Sequence, residues 1–204
     1  MLFDDTYKTI ALPVEGLFKD KGSKFIAFAY PVSHEDEMKV YYARLKKEHF
    51  SACHHCYAFR LGADKMTFRV NDDGEPQNTA GKPILGQIQS NDLTNIAIIV
   101  VRYFGGTLLG VGGLINAYKL AAADVIANAR IITKTVNEIY ELSFDHAVLN
   151  DVMKIIKKEK LEIIEQQFDL SCRIVYSLRK TSADKIAQQL KKLVSVHLKY
   201  SKTV

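Results

Sequence analysis

The mostly apolar stretch from Thr9 to Val14 is the first strand candidate, ended by Glu15-Gly16. A second strand is predicted over Ser23 to Val32, rich in Phe, Ala and Ile. Met38, Tyr41, Tyr42 and Leu45 then recur at helical spacing. Ser33 stands where its hydroxyl can cap that helix, and Glu35, Asp36 and Glu37 suit its positive first turn. Strands are predicted at Cys53 to Leu61 and Met66 to Val70, joined through Gly62-Ala63-Asp64. Asn71 to Pro83 is polar and turn-rich, and a short helical piece spans Ile84 to Ser90. Ile96 to Phe104 contains the run Ile-Ala-Ile-Ile-Val-Val, which suits a strand covered on both faces. Leu114 to Ala129 reads as a helix. Leu114, Tyr118, Ala121 and Val125 fall on its buried side, and Asn116, Lys119 and Asn128 face solvent.

The remaining pattern is β-α-β-β-α-β. Its strands are Val136–Phe144, Leu161–Phe168, Cys172–Leu178 and Ser195–Tyr200, and its helices are Ala147–Lys158 and Ser182–Val194. Leu149, Val152, Met153 and Ile156 form one apolar stripe, and Ile186, Leu190 and Leu193 another. This order is the ferredoxin-like arrangement, two helices on one face of an antiparallel sheet. The expected architecture is therefore α+β with two domains, 1–133 and 134–204.

Composition adds limits. Apolar residues are 48% and charged residues 25% of the 204, ordinary for a globular chain. The net charge is +5 and is uneven: 13 Lys and Arg face 9 Asp and Glu from Lys134 onward, against 15 and 14 before it. A lysine-rich face is compatible with phosphate contact and equally with plain solvation. Three cysteines argue against a disulfide framework. No apolar run approaches the roughly 20 residues that cross a bilayer, and Met1-Leu2-Phe3-Asp4-Asp5 lacks a leader's basic start. A cytosolic protein with no membrane contact is expected.

The candidate chemistry lies in residues 102–118, Arg-Tyr-Phe-Gly-Gly-Thr-Leu-Leu-Gly-Val-Gly-Gly-Leu-Ile-Asn-Ala-Tyr. Five of the chain's 11 glycines, Gly105, Gly106, Gly110, Gly112 and Gly113, stand here between a strand and a helix. The first amides of a helix are unsatisfied and partly positive, so an anion is stabilised there. Arg102 can add a bidentate phosphate or carboxylate contact. Tyr103, Asn116 and Lys119 complete the candidate ligand- or phosphate-binding set. The spacing matches neither the dinucleotide fingerprint nor a P-loop, and Gly81-Lys82 is followed by Pro83. The alternative is that the glycines only permit tight helix–sheet packing.

A supporting surface is expected from His54, Asp72, Asp73, Glu75, Thr79, Gly81 and Lys82. Asn71-Asp-Asp-Gly-Glu-Pro76 is a turn sequence. Its carboxylates can bind a divalent cation, remain solvated, or pair with Arg102 and organise the loop. Cys53-His54-His55-Cys56 invites a zinc or redox reading. In a strand, however, Cys53 and Cys56 point to opposite faces, with His54 sharing the face of Cys56 and His55 the other. No nucleophile–base pair or nucleophile elbow is evident. No catalytic residue, metal or cofactor is expected.

The loop motif, with Asp72-Asp-Gly-Glu-Pro76, Thr79-Ala-Gly-Lys-Pro83, Ala52-Cys-His-His-Cys-Tyr-Ala58 and Ser23-Lys-Phe25, resembles the IMPACT/YigZ family. The matches span most of residues 23–120. One departure is Asn78, where relatives usually carry glycine before Thr79. The resemblance implies a first domain like the second domain of a small-subunit ribosomal protein, an α/β sandwich. It also implies a domain pair like the last two of the bacterial translocation elongation factor. RNA or the ribosome is then the expected partner of a non-catalytic translation regulator. A protein-interaction module, or an enzyme on a phosphorylated or acidic substrate with Arg102 as anion anchor and Asp73 or Glu75 as base or metal ligand, are the alternatives. A deep pocket joining the acidic turn to the loop would favour the enzyme.

Overall fold

Ile96–Tyr103 (β6) is the strand around which the first unit assembles. Its residues alternate between two cores: Ile96, Ile98 and Val100 enter one, and Ala97, Ile99 and Val101 the other. A strand so placed must be apolar at every position, which is why its sequence shows no alternation. The computed structural model describes residues 5–204. Met1-Leu2-Phe3-Asp4, read above for the lack of a leader, lies outside the described residues. The chain forms two compact units, Tyr7–Lys134 and Thr135–Val204, the latter including Asp5 and Thr6.

In the first unit, Val14–Asp20 (β2), Ser23–Pro31 (β3), His54–Leu61 (β4) and Thr67–Asn71 (β5) join β6 in a five-stranded sheet of order β2-β3-β6-β4-β5. Every neighbouring pair is antiparallel. Glu35–Glu48 (α1) puts Met38 and Leu45 into the core on one face. Gly81–Ser90 (α2) and Gly110–Ala127 (α3) cover the other, through Ile84, Ile88, Leu114, Tyr118, Ala121 and Val125. Thr6–Ile10 (β1) pairs with Ile131–Thr135 (β7) in a separate ribbon.

Several local features differ from the sequence expectation, among them the unexpected strand β7 and the start of α2 at Gly81 instead of Ile84. The predicted strand Thr9–Val14 is in fact the end of β1 and the start of β2, and Gly16 lies inside β2 instead of ending a strand. There α3 crosses the strand so closely that a Cβ on Gly16 would stand 2.6 Å from the Val125 amide nitrogen. Ser33 does not cap α1 with its hydroxyl. Its N–H donates to Glu37 Oε2 at 2.7 Å, so the later acid reaches back toward the helix start. Helix α3 begins at Gly110, four residues before the apolar stripe announces it, and takes in Gly110, Gly112 and Gly113.

The second unit runs Asn137–Phe144 (β8), Leu149–Lys158 (α4), Glu162–Phe168 (β9), Cys172–Arg179 (β10), Ala183–Leu190 (α5) and Val196–Thr203 (β11). Its sheet order is β11-β8-β10-β9, antiparallel throughout. Leu142, Ile174 and Tyr176 from the sheet pack with Val152, Ile156, Ile186 and Leu190 from the helices. Asp5 is fixed here by Arg179 and Thr181, at 2.6 and 2.7 Å. Among the described residues no helix is long and apolar enough to cross a membrane.

Candidate functional site

Arg102, next to the last residue of β6, lies in a row across the sheet, with Phe25 on β3 and His54 on β4 as its register partners. The row faces α2 and α3. The turn 71–79 brings Glu75 over it, and α3 brings Tyr118. Arg102 Nη1 donates to Glu75 Oε1 at 2.6 Å, and the Tyr118 hydroxyl donates to the same oxygen at 2.7 Å. The Cys56 thiol lies 3.3 Å from the Tyr118 oxygen and 3.0 Å from the Asp72 carbonyl. Rings of Phe25 and Phe104 stand 5.4 and 5.8 Å from the guanidinium carbon. The side chains of Arg102 and Glu75 are only 7% and 3% exposed, so the pair belongs to the interior. Burial, then the neighbouring Cys56 and Glu75, push the Tyr118 phenol far up, which keeps it a neutral donor. Burial likewise pushes the Cys56 thiol up, against its hydrogen bond with Tyr118, and keeps it a neutral thiol.

The acidic turn is consumed by internal bonds. Asp72 accepts from the amides of Asn78, Ala80 and Gly81 at 2.8, 3.0 and 2.8 Å, capping the start of α2. Asp73 accepts from the His55 amide at 2.7 Å and pairs with Lys46 at 3.0 Å. Thr79 is buried and bonds the Pro76 carbonyl at 2.6 Å. His54 Nδ1 holds the Asp73 carbonyl at 2.8 Å, while its Nε2 is 3.9 Å from Glu75 Oε1. Asn78 adopts φ +65°, the left-handed backbone that asparagine tolerates in place of glycine. Of the openings left by the sequence, the turn's pairing with Arg102 is the one the geometry shows. Among the described residues no group of His, Cys, Asp and Glu is arranged to hold a metal.

The loop itself is exposed from Phe104 to Leu108 and again at Gly110 to Gly112. Its glycines are not equivalent. A Cβ on Gly105 would fall 1.9 Å from the Gly22 carbonyl carbon, so this glycine serves the close contact with the β2–β3 turn. Gly106 and Gly110 adopt φ +86° and +69°. Gly112 has helical backbone, and a Cβ there would meet nothing within 4 Å. Packing among the described residues gives no reason for it. Helix α3 opens without a capping side chain or an acidic first turn.

The structure thus gathers Arg102, His54, Glu75 and the acidic turn into one network at the root of the loop, buried at Arg102 and Glu75 and half-buried at His54, Asp72 and Asp73. Gly106, Gly110, Gly112, Asn116 and Lys119 stay on the surface beyond it, as does Lys82 at the start of α2. Arg102 does not offer its guanidinium outward, because a buried cation must find a counter-charge and Glu75 supplies it. Tyr103 turns to the opposite face, where its hydroxyl meets His49 Nδ1 at 2.8 Å. Gly113 packs against Leu109, and Gly81 against β5. The acidic turn and the loop meet through the Glu75–Arg102 pair. Open hollows of about 410 and 180 Å³ lie elsewhere, along β2, with Asp124 and Lys24 lining one and Tyr30 and Arg44 the other. Sequence reasoning missed Cys56 and Tyr118 as network members. The signal for Tyr118 was a hydroxyl on the apolar stripe of α3, which needs a buried partner. It also missed Phe104, Leu108, Val111 and Ile115, which are large, apolar and exposed.

The fold and loop describe a two-unit α/β protein with an exposed glycine-rich surface. Residues 21–126 match the model of the Impact N-terminal domain, which contains the whole network and loop. An IMPACT family member of Haemophilus influenzae is 31% identical over 172 residues, covering 83% of this chain and 84% of that one. YigZ of Escherichia coli, also an IMPACT family member, is 32% identical over 160 residues, 78% of each chain. The chain belongs to the IMPACT family. Protein IMPACT of Rattus norvegicus is 34% identical over 94 residues, 45% of this chain and 30% of that protein. A crystal structure of a hypothetical protein superposes with TM-score 0.75 at 28% identity, covering 97% of this chain and 98% of that one.

Proposed function

We propose that this is a non-catalytic RNA- or ribosome-binding regulator of translation whose glycine loop is a contact surface. The observation that carries the reading is Gly112, a helical glycine facing open space in an exposed loop. Glycine in a helix costs up to about 1 kcal/mol against alanine. Close approach by a partner's backbone explains its presence at that cost. Exposed Lys157, Lys158, Lys191 and Lys192 on the second unit have no ion-pair partner among the described residues and add long-range attraction to phosphate. The reading takes the first unit as a ribosomal-protein-domain-like sandwich and the second as a ferredoxin-like domain. The helices on both faces of the first sheet and the order β11-β8-β10-β9 of the second support it. It places the protein in the cytoplasm. A catalytic role at Arg102 and Glu75 is disfavoured, because the two groups neutralise each other inside the fold. A filter-binding titration against structured RNA and against ribosomes, at several salt concentrations, tests the proposal. Binding that weakens steeply with salt is expected; absence of binding at low salt would overturn it.

A further inference from the structure

We infer that the glycine loop docks a protein segment rich in acidic and large apolar side chains. This rests on the reading of the loop as a contact surface and names what it contacts. Leu108, Val111 and Ile115 follow one another at three- and four-residue spacing, and are 83%, 59% and 39% exposed. Phe104, 48% exposed, stands at the loop's other end. Exposed clusters of this kind mark contact sites. Val111 and Ile115 lie on one side of α3, and Lys119 continues that line.

A phosphate backbone would need cations at the centre of this surface, and the central side chains are aliphatic. Arg102, the nearest guanidinium, is held by Glu75 and covered by Phe25 and Phe104. The charge that remains is positive and peripheral. No acidic residue occurs from Tyr103 to Ala123. Lys119 is exposed, as is Lys21 in the turn against Gly105, and neither has an ion-pair partner among the described residues. The uncapped start of α3 adds partial positive charge. An apolar centre with a positive rim is complementary to apolar side chains flanked by Asp or Glu. The open space at Gly106, Gly110 and Gly112 lets such a segment lie close. Attraction to RNA then belongs to the lysines of the second unit.

The test displays a library of random peptides of about twelve residues to the full-length protein. The counter-screen uses the double variant Leu108→Asp/Val111→Asp, whose sites are exposed and whose fold is checked by thermal melting. In parallel, a fluorescent single-stranded RNA is titrated against wild type, this variant, and Lys157→Glu/Lys158→Glu/Lys191→Glu/Lys192→Glu. Selected peptides should combine Asp or Glu with Leu, Ile or Phe and bind the loop variant at least about tenfold more weakly. RNA affinity should fall with the lysine variant and hold with the loop variant. Peptides that are basic, or that ignore the loop variant, would overturn the inference. RNA affinity lost in the loop variant would overturn it too, while upholding RNA binding by the loop. Loop-dependent acidic peptides with RNA bound by no protein would uphold it and remove the RNA reading.

Discussion

The Glu75–Arg102 pair offers the sharpest test of how the loop is held. Its side chains are 3% and 7% exposed, so removing either partner leaves an uncompensated charge in the interior. Such a loss costs about 3–5 kcal/mol. Glu75→Gln keeps an oxygen for the Tyr118 hydroxyl and removes only the counter-charge. Arg102→Met keeps most of the volume and leaves the carboxylate with Tyr118 alone. Both changes together remove both charges, so the double variant should be less damaged than the sum of the two, by about 2–3 kcal/mol. With a urea slope of about 2 kcal/mol per molar, each single change lowers the midpoint by roughly 2 M. Urea-dependent hydrogen exchange at the β6 amides reads the first unit separately from the second. Single costs below about 1 kcal/mol, or costs that simply add, would show that the pair does not anchor the loop's root.

Other outcomes follow from single groups. His55 is 3% exposed and neither ring nitrogen has a hydrogen-bond partner among the described residues, so His55→Phe should stabilise the first unit by about 1 kcal/mol in thermal unfolding. Burial, then nearby Lys46 and His49, lower the His55 pKa despite Asp73, so the unfolded chain takes up the proton first on acidification. Its contribution to stability is therefore complete above about pH 6.5 and is lost as the pH falls below that, a slope that His55→Phe should remove from urea midpoints. Arg179 and Thr181 hold the Asp5 carboxyl down at about 2, so its contribution is complete above about pH 4 and is lost as the pH falls toward 2. Because Arg179 is half exposed, Asp5→Asn should cost about 1 kcal/mol in the second unit at neutral pH, read by hydrogen exchange, and progressively less as the pH falls through 2. At Asn78, with φ +65°, alanine should cost about 1 kcal/mol in the urea midpoint and glycine nothing.

Element types were legible where one periodicity ruled a long segment. The apolar run of β6 and the two stripes of the second unit announced themselves, because each element buries a continuous face. Local pattern failed where tertiary contacts chose the residue. Gly16 looks like a strand breaker, yet it is the point where α3 crosses β2. The glycines that open α3 hide its first turn from any propensity argument. At the site, the residue types were visible and their pairing was not. Arg102 had two plausible fates, phosphate or carboxylate, and only the burial of Glu75 against it decides between them. Charge spacing in a sequence does not show whether a guanidinium points inward. The exposed Leu108, Val111 and Ile115 were hidden for the same reason, since apolar residues beside a buried stripe read as core.

Gly112 carries the central claim that the loop is kept open for a partner. The most direct measurement compares Gly112→Ala and Gly112→Leu with wild type in thermal melting and in co-sedimentation with ribosomes at low salt. The account predicts melting temperatures equal to or above wild type, since the added side chain meets open space, together with weakened co-sedimentation, most severe for leucine. Unchanged co-sedimentation of the leucine variant, or wild type that fails to sediment with ribosomes, would contradict it.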